Sequence, residues 1–280
     1  MMNILLPTDF SDNSWNAIVY ALALFKNTTC NFYVLHINKV ENIIVGDAIY
    51  IPTQEAIEDT YVKPSKKKLR SLLKKISDHL EHNKKHKFYT IVDYSFFVES
   101  IRKHINDKKI DMIIMGTKGA SGFEEYIIGS NAGDVVTKVK CTTLVVPEHA
   151  KYDKLKEIAF PTDYNLSYDI KILQPFTAIL SMVKANLRII HIHKKDTKLN
   201  TEQLTNKDVL NDYFEDFMPS FHFLTNKNVE NAIQCFVESK GVDMIVMVAK
   251  NLNYFQNMLF HTRVEKITYH THIPFLVLHE

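Results

Sequence analysis

A chain of 280 residues is long for one ordinary core, so two domains are the starting expectation. Apolar residues make up 46% and charged residues 24%, which excludes a disordered or fibrous chain. A formal net charge of +2 sets up no global field that would make nucleic acid or an anionic membrane an obligatory partner.

The first predicted strand is Ile4-Leu5-Leu6, and it runs straight into Pro7-Thr8-Asp9-Phe10-Ser11. The segment from Met1 to Asp9 has no basic start and too short an apolar run for a leader, so a cytoplasmic address is expected. Ala17, Ala21 and Leu24 then recur at helical spacing, and Asn31 to Ile37 follows as a second apolar strand. Leu69, Leu72, Leu73, Ile76 and Leu80 form the buried stripe of another helix, for which Ser65 after Pro64 is the expected cap. Its basic run of Lys66, Lys67, Lys68, Arg70, Lys74 and Lys75 is expected to be a solvated face. His79, His82 and His86, and likewise His270 and His272, share their spacing with no carboxylate or cysteine, so a metal site is not expected. Cys30, Cys141 and Cys235 are widely spaced and form no C-x-x-C pair, which predicts three buried thiols.

Asp111-Met112-Ile113-Ile114-Met115 is the next strand, and Leu144-Val145-Val146 the last before a polar stretch from His149 to Lys154. Beyond that stretch the chain repeats itself. Ile158 to Tyr164 again ends in Pro161-Thr162-Asp163 and an aromatic residue, Asn186 to Ile192 matches Asn31 to Ile37, and Asp243 to Met247 matches Asp111 to Met115. Leu276-Val277-Leu278 closes the second repeat as Leu144-Val145-Val146 closes the first. Short, β-branched, nearly continuous apolar runs suit strands of a parallel sheet covered on both faces. Strands alternating with helices then predict two tandem α/β domains, 1–149 and 155–280, each a doubly wound parallel sheet of about five strands. The first repeat is longer, and its extra residues are placed near Glu41 to Pro64.

One loop carries chemistry. Gly116-Thr117-Lys118-Gly119 follows the strand, nine residues intervene, and Gly129-Ser130 opens a helical pattern at Asn131. A glycine at a strand end lets backbone approach a sugar or phosphate, and a helix start offers free N–H groups and a positive dipole end to an anion. The spacing is neither a P-loop nor a dinucleotide fingerprint. Asp9 and Asp163 each stand alone, without a histidine or second carboxylate placed to form a catalytic pair, so no catalytic residue is assigned.

The Pro-Thr-Asp-Phe-Ser turn, the Val34 to Ile37 strand end, Asp111 to Gly116 and the G-x-x-G-x9-G-S loop together resemble the universal stress protein family in its tandem form. The resemblance covers nearly the whole chain and implies a Rossmann-like, adenine-nucleotide-hydrolase-like fold that binds ATP. It implies that Pro7, Thr8 and Asp9 hold ribose and the adenine edge, and that Ile37 offers backbone to the base. Met115 and Gly116 would line base and ribose. Gly119, Gly129, Ser130, Asn131 and Ala132 would take the phosphates, with Mg²⁺ bridging their oxygens. Partners implied are an adenine nucleotide and an unidentified protein, and the last strands of the two domains would meet as an intramolecular pseudo-dimer, with further homodimerisation left open. In the second repeat Val248, Asn251, His261 and Thr262 replace the four signature positions, so that site is expected to be empty of ATP, with Val248 colliding with the ribose, or to hold something smaller.

Overall fold

The computed structural model describes all residues except 41–42, 46–47, 51–52, 80–81, 118–129, 166–168, 194–197, 250–272 and 280; of 43–45, 48–50 and 230 it describes the backbone alone. The first half runs β1 (Met2–Pro7), α1 (Asp12–Leu24), β2 (Cys30–Lys39), the hairpin β3 (Ile43–Val45) and β4 (Ala48–Tyr50), α2 (Gln54–Ile57), α3 (Lys63–His79), β5 (His86–Ser95), α4 (Phe97–Lys108), β6 (Met112–Gly116), α5 (Ser130–Lys138) and β7 (Thr143–Val146). The second runs β8 (Glu157–Pro161), α6 (Gln174–Val183), β9 (Asn186–His193), α7 (Thr201–Tyr213), β10 (Ser220–Thr225), α8 (Val229–Lys240), β11 (Met244–Val248) and β12 (Phe275–Leu278).

Ten strands form one sheet in the order β10-β9-β8-β11-β12-β7-β6-β1-β2-β5. The halves repeat one arrangement, β5-β2-β1-β6-β7 answering β10-β9-β8-β11-β12, as a doubly wound sheet requires. Neighbours within each half are parallel, and the halves join where β7 and β12 pair antiparallel, with Phe275 opposite Val145, Leu276 opposite Leu144 and Val277 opposite Thr143. The two closing runs of the repeats therefore do meet. Period-two alternation sends Ile4, Leu6, Ile114, Leu144 and Leu276 to the face covered by α1, α3 and α6, and Leu5, Ile113, Val145 and Val277 to the face covered by α4, α5 and α8. Each face is a single apolar cluster running through both halves.

Two expectations change. The helix containing the basic run starts well before Ser65: Thr53 accepts from the Ala56 N–H as the cap, and a π turn over Glu58–Val62 leads into α3. Pro64 has no N–H and crowds the preceding turn, and the wider π turn absorbs it where a regular helix would break. Ser65 is left inside the helix, its hydroxyl donating to Asn38 Oδ1 at 3.0 Å. The polar stretch between repeats is held against the first half, because Asn16 Nδ2 donates to the carbonyls of Pro147 and Ala150 at 3.0 and 2.9 Å and Tyr152 packs edge-on against Tyr20. Cys30 and Cys141 are buried as expected, but Cys235 is exposed on the outer face of α8. The basic side chains Lys66, Lys67, Lys68, Arg70 and Lys74 do lie on the surface.

Burial holds His86, His191, His222 and His279 below the ordinary imidazole value, His279 at about 4. The folded chain then binds fewer protons than the unfolded one between about pH 6.5 and 4, so stability falls as pH drops through that window. Denaturant midpoints measured from pH 7.5 down to 4.5 should decline progressively. In His279→Leu that slope should be shallower, and an unchanged slope would exclude His279 as a contributor.

Candidate functional site

In each half the strand order changes direction beside the first strand, between β1 and β6 and between β8 and β11, and the carboxyl ends of the strands at such a switch point are where doubly wound sheets form a ligand crevice. In the first half the Thr8 N–H still reaches the Leu35 carbonyl at 2.8 Å, and there β1 ends. The turn that follows is self-supporting. Thr8 Oγ1 accepts from the Phe10 N–H at 3.0 Å and pairs with Ser14 Oγ at 2.9 Å. Asp9 Oδ1 accepts from the Ser11 N–H and hydroxyl at 3.1 and 2.6 Å, and Ser11 Oγ in turn caps α1 by accepting from the Ser14 N–H at 3.2 Å. Phe10 lies in the left-handed region at φ 66°, a strained place for an aromatic residue, and its ring packs on His36 at 4.4 Å. His36 Nδ1 holds the Thr8 carbonyl at 2.8 Å. Ser11→Ala should cost about 1 kcal/mol of unfolding free energy through the lost cap, readable by urea titration.

Strand alternation aims the backbone beyond this turn. Leu35 bonds Thr8, so two residues on, Ile37 also directs its N–H and C=O toward the β1 side. On the opposite flank Thr117 bonds the Val146 carbonyl of β7, so Gly116 directs its backbone groups toward β1. Ile37 and Gly116 thus face the point where Asp9 leaves the sheet, from either side. α5 runs back from this same edge, which places its first residues, exposed Ser130, half-buried Asn131 and buried Ala132, at the carboxyl ends of the strands. Pro7, Thr8 and Met115 are buried, and Asp9 and Ile37 half-buried. Gly119 and Gly129 lie outside the described residues.

Comparison with known proteins bears on this arrangement. Residues 1–147 match the Universal stress protein family. The chain belongs to that family. It is 22% identical to a universal stress protein of Synechocystis over 99% of both chains, and 28% identical to one of Methanocaldococcus jannaschii over 53% of this chain and 83% of that protein. In solved structures it is similar to a universal stress protein of Archaeoglobus fulgidus, with a TM-score of 0.67, 18% identity and 99% and 98% of the two chains covered.

The second half of this universal stress protein copies the turn almost atom for atom. Thr162 N–H reaches the Ile190 carbonyl at 2.8 Å, Thr162 Oγ1 accepts from the Tyr164 N–H at 3.0 Å, and Asp163 Oδ1 accepts from the Asn165 N–H at 2.9 Å. Tyr164 is again left-handed, at φ 57°, stacks on His191 at 4.8 Å, and His191 Nδ1 holds the Thr162 carbonyl at 2.9 Å. The matching histidines, which lie inside apolar strand runs of the sequence, are the clamps of both turns.

What differs is the cover. Gln203 Nε2 and Asn206 Nδ2 of α7 donate to the Asp163 and Tyr164 carbonyls at 3.0 and 2.7 Å, drawing that helix down over the second turn. The role given to Val248 also needs correction. Its side chain is 1% exposed and belongs to the apolar cluster on the α6 face, so it packs into the core and does not project into the crevice. At the matching place in the first half, a Cβ on Gly116 would meet Asn13 Oδ1 at 2.6 Å and the Asn13 carbonyl at 3.1 Å. Gly116 is therefore required by the approach of α1, a constraint that no local sequence pattern announces. Asn251, His261 and Thr262 lie outside the described residues.

Among the described residues no group of three His, Cys, Asp or Glu side chains is placed to hold a metal; His270 and His272 lie outside those residues. Nor is any helix among them long and apolar enough to cross a membrane.

Proposed function

We propose that this universal stress protein is a cytoplasmic nucleotide-dependent binding module of two units, 1–149 and 155–280, whose first unit holds ATP with Mg²⁺. The observation that carries the reading is the direction of the Ile37 and Gly116 backbones, which face the end of β1 from either side, together with the amino-terminal end of α5 at the same strand ends. Asp9, with Pro7 and Thr8, would meet ribose and the adenine edge, Ile37 the base, and Met115 and Gly116 the base and ribose. Gly119, Gly129, Ser130, Asn131 and Ala132 would take the phosphates. The donors on that helix start suit an anion. Since the described part of the site offers no carboxylate cluster, Mg²⁺ would be held through phosphate oxygens. Binding would stabilise the loop from Gly116 to Ser130 and so alter a surface read by a protein partner.

The test is to purify the full chain without added nucleotide, denature it, identify any released small molecule by mass, and titrate ATP with Mg²⁺ calorimetrically. One adenine nucleotide per chain is expected, lost or weakened about a hundredfold in Gly129→Val, equivalent to about 2.7 kcal/mol. Absence of both ligand and heat would overturn the reading in favour of a structural pseudo-dimer, which the buried β7–β12 seam would suit. Phosphate release over hours should not exceed that of Gly129→Val. Release above that control would instead make the protein a slow hydrolase.

A further inference from the structure

β5 is an edge strand with few defences. Among the described residues its one strand neighbour is β2, and the pairing runs unbroken from Cys30 opposite His86 to Lys39 opposite Ser95. Edges are normally blunted by shortness, a bulge, a proline or charge, since their open backbone groups are a template for another chain. β5 has ten residues, no bulge against β2 and no proline, whereas β10 at the far edge of the sheet has six residues. From Phe88 to Val92 every residue is aromatic or β-branched, and Tyr89 and Thr90 are exposed.

The register with β2 decides which backbone groups face outward. The Cys30 N–H donates to the Lys85 carbonyl at 2.9 Å, and residues that bond a given neighbour alternate along a strand. Lys87, Tyr89, Ile91 and Asp93 therefore turn their backbones to β2. Phe88, Thr90 and Val92 turn theirs to the open side, where no described group meets them. His86 is not part of this set, because its N–H returns to the Asn83 carbonyl at 3.0 Å.

Laid antiparallel on itself about Thr90, this segment is self-complementary. Thr90 opposes Thr90 and Phe88 opposes Val92 in hydrogen-bonded pairs, while Tyr89 opposes Ile91 and Lys87 opposes Asp93 in the closer pairs between them. Opposed residues share a face, so apolar meets apolar and cation meets carboxylate. Asp93 already accepts from the Ser100 hydroxyl at 2.8 Å and meets His104 Nε2 at 3.2 Å, both through Oδ2, which leaves Oδ1 for Lys87. Centring the pair on Tyr89 or on Ile91 would instead set Lys87 against Ile91 or Ser95. Part of the basic run of α3 is turned away from this edge or paired: Lys68 and Lys75 lie over the Phe10 and Trp15 rings, and Lys66 is bonded to Glu58.

We propose that a second copy of this chain docks on β5, edge to edge and antiparallel about Thr90, so that two ten-stranded sheets continue into one closed twofold pair. The nucleotide crevice beyond β1 lies two strands from this edge and takes no part in the contact.

Sedimentation equilibrium of the full chain over a concentration series should show a monomer–dimer equilibrium. Thr90→Pro removes an N–H that faces away from β2, so the fold should survive while dimerisation weakens at least tenfold and the response to ATP is unchanged. Lys87→Glu, which sets like charges opposite each other, should also weaken it and serves if the proline variant does not fold. Crosslinking reads the register. In a Cys235→Ser background, Thr90→Cys should give a covalent dimer with copper phenanthroline, because opposed Cα atoms in a hydrogen-bonded pair lie about 5.5 Å apart. Lys87→Cys should not, since its two copies would be six residues apart along the paired strands, about 20 Å. A chain that stays monomeric, a dimer unaltered in the folded variants, or crosslinking through position 87 and not 90 would each overturn the proposal. Assemblies that keep growing beyond the dimer would overturn it in favour of head-to-tail pairing of β5 with β10.

Discussion

Leu276→Asp should destabilise the chain by about 4 kcal/mol or more and remove its cooperative unfolding transition at neutral pH. Leu276 is fully buried at the centre of β12, opposite Leu144 across the antiparallel join, and both side chains sit in the apolar cluster shared by the two halves. A carboxylate placed there has no partner within the described core. It must either lose its hydration while charged or take up a proton, and each costs several kcal/mol. The loss is expected to spread, because among the described residues each face of the sheet is one apolar cluster that continues across the join. Leu276→Ala should cost about 2–5 kcal/mol, as a cavity does. Phe223→Asp, on the open edge strand β10 where the ring is 47% exposed, should cost far less. Urea denaturation of the three variants decides the matter. A Leu276→Asp penalty near that of Phe223→Asp would mean that the halves fold independently and that the join adds little.

Much of this was legible because the fold writes itself into short apolar runs. Ile4-Leu5-Leu6, Asp111 to Met115 and their repeats are strands covered on both faces, and only a doubly wound parallel sheet makes so many such runs in alternation with helices. The pairing of β7 with β12 followed from the family resemblance, since two similar runs closing two repeats say nothing by themselves about which edges meet. Where tertiary neighbours decide, the sequence was silent or misleading. Pro64 looked like the start of a helix because its disruption is local, whereas the π turn that accommodates it lies several residues earlier. Cys235 looked buried by residue type, yet α8 turns it outward. His36 and His191 sit within strands that read as core, and only the fold shows each ring nitrogen on the carbonyl of the threonine that precedes the aspartate shared by the two repeats. Val248 looked like an obstacle to ribose because alignment gives a position but not the direction of its Cβ.

That direction leads to the second large expected effect, at Gly116. Residues 112, 114 and 116 of β6 share one face, and Met112 and Ile114 both enter the cluster beneath α1. A methyl group at 116 therefore points at α1, where Asn13 Oδ1 would be 2.6 Å away and its Cγ 2.9 Å. Asn13 has little room to give way, since it is buried and its helix is anchored by the Ser11 cap. Gly116→Ala should cost about 1–3 kcal/mol, and Gly116→Val more. In an Asn13→Ala background the side-chain clash is gone and only the carbonyl at 3.1 Å remains, so the same Gly116→Ala change should cost less by at least about 0.5 kcal/mol. The second half supports this: its chain takes 25 steps from Pro161 to Asn186 against 24 from Pro7 to Asn31, α6 begins only at Gln174 behind a short turn at Ile170–Leu173, and the sheet there accepts a valine. ATP affinity measured on the same four proteins separates the two roles open to the glycine. If Gly116 serves by admitting α1, the double variant should bind ATP within about threefold of Asn13→Ala, a difference of less than 1 kcal/mol. If affinity stays tenfold lower while stability recovers, the missing Cβ is needed by the ribose itself, and Val248 regains its place as the reason the second crevice is closed.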